Sequence, residues 1–215
     1  MIKGSYENNR LYLLVFILLA LFFLILINVY NSPLNSSLFG DSKIMYAFYA
    51  IRSPMLSPLM LFITFMGEWY SIAVLALISM AFLIKKNKTR LASALFVSVF
   101  GGEAIVLLIK NFIQRARPDV VPRLAAESGY GFPSAHSLVA ISFYGLGAYF
   151  LFRSTKKKAA KITFATIGVL IILLMGASRI YLGVHWPSDV LGSYLLGSAW
   201  VLSIIIYLDY KREFN

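Results

Sequence analysis

Leu11-Tyr-Leu-Leu-Val-Phe-Ile-Leu-Leu-Ala-Leu-Phe-Phe-Leu-Ile-Leu-Ile-Asn-Val-Tyr30 is a run without a single charged side chain. A helix of about 20 residues is about 30 Å long, the thickness of a bilayer's hydrocarbon core. Lys3 and Arg10 precede the run, as basic residues precede a signal peptide. It is nevertheless longer than the roughly 7–15 residues of a cleaved segment, and Asn31, Ser32 and Pro33 follow it instead of a small-x-small site. The run reads as a retained spanning helix. Beyond it, Trp69–Ile84, Leu91–Ile109, Ser137–Phe152, Ile162–Met175 and Val190–Leu208 are further apolar runs. Leu56–Met66 is too short to span and is followed by Gly67-Glu68-Trp69, so it reads as an interfacial or re-entrant helix.

Composition agrees with this reading. The 215 residues are 60% hydrophobic and 13% charged, with a mean hydropathy of +0.77. An ordinary soluble domain is roughly 45–50% apolar and about 25% charged. The expectation is therefore an all-α integral membrane protein of six spans, forming one membrane-embedded domain over residues 1–215. There is no Cys, which excludes a disulfide framework, a thiolate metal site and a Cys nucleophile.

The net charge of +11 admits two readings, a nucleic-acid surface or basic residues held on the cytoplasmic side. The loops decide between them. With six spans both termini share one side. That side collects Lys3, Arg10, Lys85, Lys86, Lys88, Arg90, Arg153, Lys156, Lys157, Lys158, Lys161, Lys211 and Arg212, thirteen of the 20 basic residues. The positive-inside rule makes these segments cytoplasmic, so the chain is N-in and C-in, with a bilayer and not a nucleic acid as its partner. Asn35-Ser36-Ser37 outside and Asn87-Lys88-Thr89 inside both match a glycosylation acceptor, a pattern too common to carry weight.

Lys43, Arg52, Lys110, Arg115, Arg117, Arg123 and Arg179 remain, and the last five lie in two outer segments, Lys110–His136 and Gly176–Trp186. The only two histidines, His136 and His185, close those same segments. Lys110, Arg117 and Arg179 are cations that suit one multiply charged oxyanion, and phosphate takes several at once. Pro133-Ser134 before an apolar run marks a helix start, where free N–H groups also favour an anion. Pro187 suits a first helical position, so Asp189 can reach back to His185, hold one ring nitrogen and leave the other free to attack. His136 is the second proton-transfer group. The nearby carboxylates form no evident metal cage.

Each residue also has an ordinary explanation. Lys110, Arg115 and Arg123 are placed to anchor helix ends by snorkelling, the better reading for the last two. Asp189 complements a helix N-terminus. Tyr130, Phe132, Tyr181 and Trp186 suit an aromatic belt. Together on one face, however, two His, an Asp and three spaced cations point to chemistry.

These segments resemble the three-part signature of the type 2 phosphatidic acid phosphatase superfamily, K-x6-R-P, P-S-G-H and S-R-x5-H-x3-D. Lys110, Arg117 and Pro118 match the first part; Pro133, Ser134 and His136 the second; Ser178, Arg179, His185 and Asp189 the third. The resemblance implies a metal-independent, cofactor-free phosphohydrolase acting on a membrane lipid phosphate at the outer face. It implies that His185 forms a phosphohistidine, Asp189 orients it, and His136 protonates the leaving oxygen. Lys110, Arg117, Ser134, Arg179 and the N–H groups near Ala135 would hold the phosphate. The chain departs from the signature at Ala135, where the family has Gly; helical dihedrals there tolerate Ala, whereas a positive φ does not. Glu103, seven residues before Lys110, is expected to face the bundle interior. Glu68 is expected either at the lipid entrance or in a simple interfacial turn. A phosphate- or lipid-binding transporter, which needs no His-Asp pair beside a second His, or an inactive relative in which Ala135 has disabled the site, is the alternative.

Overall fold

The computed structural model describes residues 2–32, 37–38 and 40–213, with side chains from 9 to 210 within those ranges. Among them the chain is all helix, without a strand. Asn35 and Ser36 of the first glycosylation pattern, and the side chains of Lys3, Lys211 and Arg212, lie outside the described residues.

Five helices are long and apolar enough to span: Asn9–Asn31, Thr89–Ile113, Ala135–Ser154, Lys158–Tyr181 and Pro187–Tyr210. With the turn preceding it, the first is α1 (Ile2–Asn31). Between them lie α2 (Asp41–Ala50), α3 (Leu56–Phe65) and α4 (Trp69–Lys85). The last two meet at a 52° bend and form a sixth span only as a pair. The four remaining spans are α5 (Thr89–Ile113), α6 (Ala135–Ser154), α7 (Lys158–Tyr181) and α8 (from Pro187). In α1 and α7 only 17% of the most apolar window is buried, so these helices turn most of their Leu, Ile and Phe side chains outward, as a bilayer requires.

Two apolar clusters hold the spans together. Ile72, Ala76 and Met80 of α4 pack with Leu95 and Val99 of α5, Val139 and Leu146 of α6, and Val201 and Ile204 of α8. Phe22, Ile25 and Val29 of α1 pack with Val106, Phe132, Leu138 and Leu196. Both α5 and α6 carry a π-turn, at Val97–Gly101 and Ile141–Gly145. A π-turn disturbs the i→i−4 ladder, and here helix neighbours use the displaced carbonyls. Ser98 Oγ donates to Ser142 O (2.8 Å), and Trp200 Nε1 donates to Ser98 O (3.0 Å).

The helices run further than the apolar runs suggest, with α7 continuing through Gly176–Tyr181. Ser178, Arg179 and Tyr181 are polar interruptions in sequence but fully buried against protein, so no lipid exposure ends the helix there. Helix α2 has no counterpart in the sequence reading, since ten residues cannot span. It is held because Met45 packs with Val121, Ile180, Trp186 and Val190. Phe132, Tyr181 and Trp186 are buried among protein side chains and are not belt residues; Tyr130 is exposed.

Arg115 and Arg117 hydrogen-bond to Ser188 and Val184, Gly131 N to Arg115 O and Ser134 N to Asp189 O, so the C-terminal end of α5, the start of α6, the end of α7 and the start of α8 all lie at one end of the bundle.

Candidate active site

At that end α5 closes with Gln114 in the left-handed region (φ 53°). Lys110 sits in its last turn, half-buried, and its Nζ donates to Tyr130 O. Ser134 caps α6: its hydroxyl accepts from Ser137 N (3.5 Å) and Ser137 Oγ (3.0 Å). Ala135 is the first helical residue and has no positive φ, so the departure from Gly is accommodated. His136 follows, buried.

The α7–α8 corner is a Schellman turn. Gly183, at φ 76°, donates to Ile180 O, and Val184 N donates to Arg179 O. This turn delivers His185 into the interior, and α8 starts at Pro187 as expected. Asp189 Oδ2 lies 3.4 Å from His185 Nδ1 and accepts from Trp186 N (3.0 Å). On the ring's far side Arg117 Nη1 is 3.0 Å from His185 Nε2. A guanidinium can only donate, so Nε2 carries the lone pair and Nδ1 the proton. Burial, reinforced by Arg117, Lys110 and Arg179, pushes the His185 pKa well below its ordinary value. At neutral pH His185 is an uncharged base.

Arg117 and Arg179 face a shared point. Arg117 Nη2 is 3.3 Å from Glu127 Oε2, while Arg179 Nη2 pairs with Glu127 Oε1. Arg179 Nη1 also donates to Thr64 of α3. Its buried Nε makes no hydrogen bond among the described residues. Burial draws the Arg117 pKa down from its ordinary value, with Glu127 opposing, and it stays a cation at any working pH.

Arg115 is not a snorkelling anchor. It is 4% exposed and forks between two buried carboxylates: Nη2 is 3.1 Å from Asp41 Oδ2, and Nη1 donates to Asp189 Oδ1 and to Ser188 Oγ (2.7 Å). Asp41 in turn accepts from Ser188 N (2.8 Å) and Ser188 Oγ (2.6 Å). The short helix α2 thus carries the far end of a chain running Asp41–Arg115–Asp189–His185. Among the described residues Arg123 hydrogen-bonds to Pro118 O alone, across its own loop. Glu103 is half-buried and forms no ion pair among the described residues.

The sequence-derived residues Lys110, Arg117, Ser134, Ala135, His136, Arg179, His185 and Asp189 therefore gather at one end of the bundle. Asp41, Thr64, Arg115 and Glu127 join them unforeseen. Glu127 lies inside the singled-out segment Lys110–His136, so its charge was a usable signal; Asp41 and Thr64 carry no spacing that marks them.

A family model described as the PAP2 superfamily matches residues 91–213. Phosphatidylglycerophosphatase B of Bacillus subtilis (strain 168) is 37% identical over 182 residues, 83% of this chain and 87% of that protein. An undecaprenyl-diphosphatase of Sulfolobus acidocaldarius is 29% identical over 160 residues, 72% of this chain and 71% of that one. Among solved structures, a transmembrane PAP2-type phosphatidylglycerolphosphate phosphatase from Bacillus subtilis superposes with a TM-score of 0.82 at 30% identity, covering 92% of this chain and 96% of that one.

Proposed function

The chain belongs to the PAP2 superfamily, and on that premise we propose that it hydrolyses a membrane lipid phosphate without a metal, through a phosphohistidine on His185. The observation that carries this reading is the carboxylate of Glu127, seated between Arg117 and Arg179 beside the His185 ring. Two guanidinium groups gripping two oxygens of one anion, next to an uncharged imidazole nitrogen, is the arrangement a phosphoryl group needs.

In this mechanism the phosphate displaces Glu127. Its oxygens are then held by Lys110, Arg117, Arg179, the Ser134 hydroxyl and the N–H groups at the start of α6 near Ala135. Nε2 of His185 attacks phosphorus in line, and Asp189 holds the Nδ1 proton and stabilises the charge the ring gains. The P–O bond breaks away from His185, and its electron pair leaves with the oxygen, which takes a proton from His136. Water, deprotonated by His136, then releases phosphate from His185. Lys110, Arg117 and Arg179 supply the charge stabilisation that metal ions supply in other phosphatases.

The domain is the whole membrane bundle, N-in and C-in, with the site at the outer face, where lipid headgroups reach it while their tails stay in the bilayer. Phosphatidylglycerophosphate, phosphatidic acid and undecaprenyl pyrophosphate are the substrates this reading admits. Its test is phosphate release by detergent-purified protein in EDTA, with these three lipids in parallel. Release that survives the chelator and disappears in His185→Ala is expected. Binding without release by the unaltered protein favours a transporter or an inactive relative instead.

A further inference from the structure

The bend between α3 and α4 presses against the acid of the proposed mechanism. A Cβ on Gly67 would lie 2.5 Å from Met175 Sδ and 3.1 Å from His136 Cδ2, so only glycine lets the backbone come this close. The next residue, Glu68, begins α4 but spends no side-chain hydrogen bond on capping it. Its Oε1 instead lies 3.3 Å from His136 Nε2. That nitrogen is buried and makes no hydrogen bond of good geometry among the described residues. Glu127 approaches as well: one ligand atom each from Glu68, Glu127 and His136 lie within 4.8 Å of one another. Arg179 is paired to Glu127 and bonded to Thr64, so one carboxylate of this group is already matched by a cation and the group is a poor cation site.

In the proposed reaction Nε2 of His136 delivers its proton to the leaving oxygen. Glu68 and the leaving oxygen then contend for one N–H and must lie side by side. Glu68 therefore stands on the side of His136 that receives the leaving group.

We propose that Glu68 makes this site selective for phosphate monoesters of alcohols over diphosphates. The inference rests on the roles given above to His185 and His136. With a monoester the electron pair of the broken P–O bond goes to an alcohol oxygen, which takes the His136 proton and departs uncharged. A hydroxyl on that headgroup can also donate to Glu68. With a diphosphate the leaving group is itself a phosphate, carrying negative charge on the other oxygens of the phosphorus that holds the leaving oxygen, set against Glu68. Like charges at such distances repel strongly in a partly desolvated site. Glu68 is 32% exposed, so it opens toward the approaching headgroup and its effect weakens with salt.

Phosphatidic acid and diacylglycerol pyrophosphate share their tails and glycerol and differ by one phosphate, so they isolate the leaving group. Initial phosphate release from each, in mixed micelles with the full chain, is compared for the unaltered protein, Glu68→Gln and Glu68→Asp. The unaltered protein is expected to favour phosphatidic acid. Glu68→Gln, eluting from a sizing column as the parent does, should shift the ratio of kcat/KM values at least tenfold toward the diphosphate. Glu68→Asp should keep the parent's preference, and the preference should shrink at high salt. An unaltered protein that prefers the diphosphate overturns the proposal, as does a Gln variant that slows both substrates equally, which would make Glu68 only a support for His136. If the unaltered protein releases phosphate from no lipid at all, the hydrolase reading itself fails, not merely the selectivity.

Discussion

His185 is a nucleophile only if its ring is neutral and one nitrogen is free, and both conditions are set by neighbours. Asp189 accepts the hydrogen bond of the Nδ1 proton, while burial and the surrounding Arg117, Lys110 and Arg179 oppose a second proton. Because the folded pKa is lowered, the neutral form persists as pH falls through 6.5, where an ordinary imidazole charges. The chain has only two histidines, so nitrogen NMR can follow each ring. At pH 6 one ring is expected to remain neutral with its proton on Nδ1, and that signal should vanish in His185→Ala. A His185 ring half-charged near pH 6.5 would contradict this. Arg115 acts a step further away, holding Asp189 and Asp41 at once. Arg115→Ala leaves two buried carboxylates uncompensated and should cost about 3–5 kcal/mol of stability in thermal or denaturant unfolding. Lysine should recover only part of it, since it cannot fork to both.

Helix ends do most of the positioning. The Ser134 cap places His136 on the first turn of α6, and the Schellman turn at Gly183 aims His185 inward. Both are short-range devices; Pro133-Ser134 marks the first in sequence, and the structure adds the turn at Gly183. The departure at Ala135 is settled at this scale as well: the position is helical, where Ala is the better residue by about 0.5–1 kcal/mol. Ala135→Gly is accordingly expected to leave turnover within about threefold of the parent and to lower stability slightly, as steady-state rates and unfolding curves would show. A large gain in rate would mean that the methyl group obstructs the phosphate. Helix α2 shows where short-range reading stops. Its ten residues match no spanning pattern, and it matters because Asp41 reaches Arg115 and Ser188 across the fold.

For the whole molecule, packing brings four helix ends to one side, while the basic residues Lys88, Arg90 and Arg153 meet near Asp209, away from them. This separation fits a site facing outward and cationic loops facing the cytoplasm. The chain lacks cysteine, which makes the orientation simple to test. Asp119→Cys, in the site loop, is expected to react with a membrane-impermeant maleimide on intact cells; Lys156→Cys should react only after permeabilisation. The reverse pattern would overturn the orientation.

The sequence alone determined the all-helical membrane class, most of the apolar helices and the residues that the fold gathers at one end of the bundle. Those properties depend on short-range features: apolar length, helix caps, and fixed spacings such as His185 to Asp189. The tertiary structure decided which charges meet. Arg115 resembles a snorkelling anchor in sequence because nothing local shows that Asp41, 74 residues away, will share its guanidinium. Glu127 resembles a loop acid until Arg117 and Arg179 converge on it, and Glu68 resembles an interfacial turn until the bend at Gly67 sets it against His136. Burial of a charge is affordable only beside a partner, and partners so distant in sequence are chosen by how the helices pack.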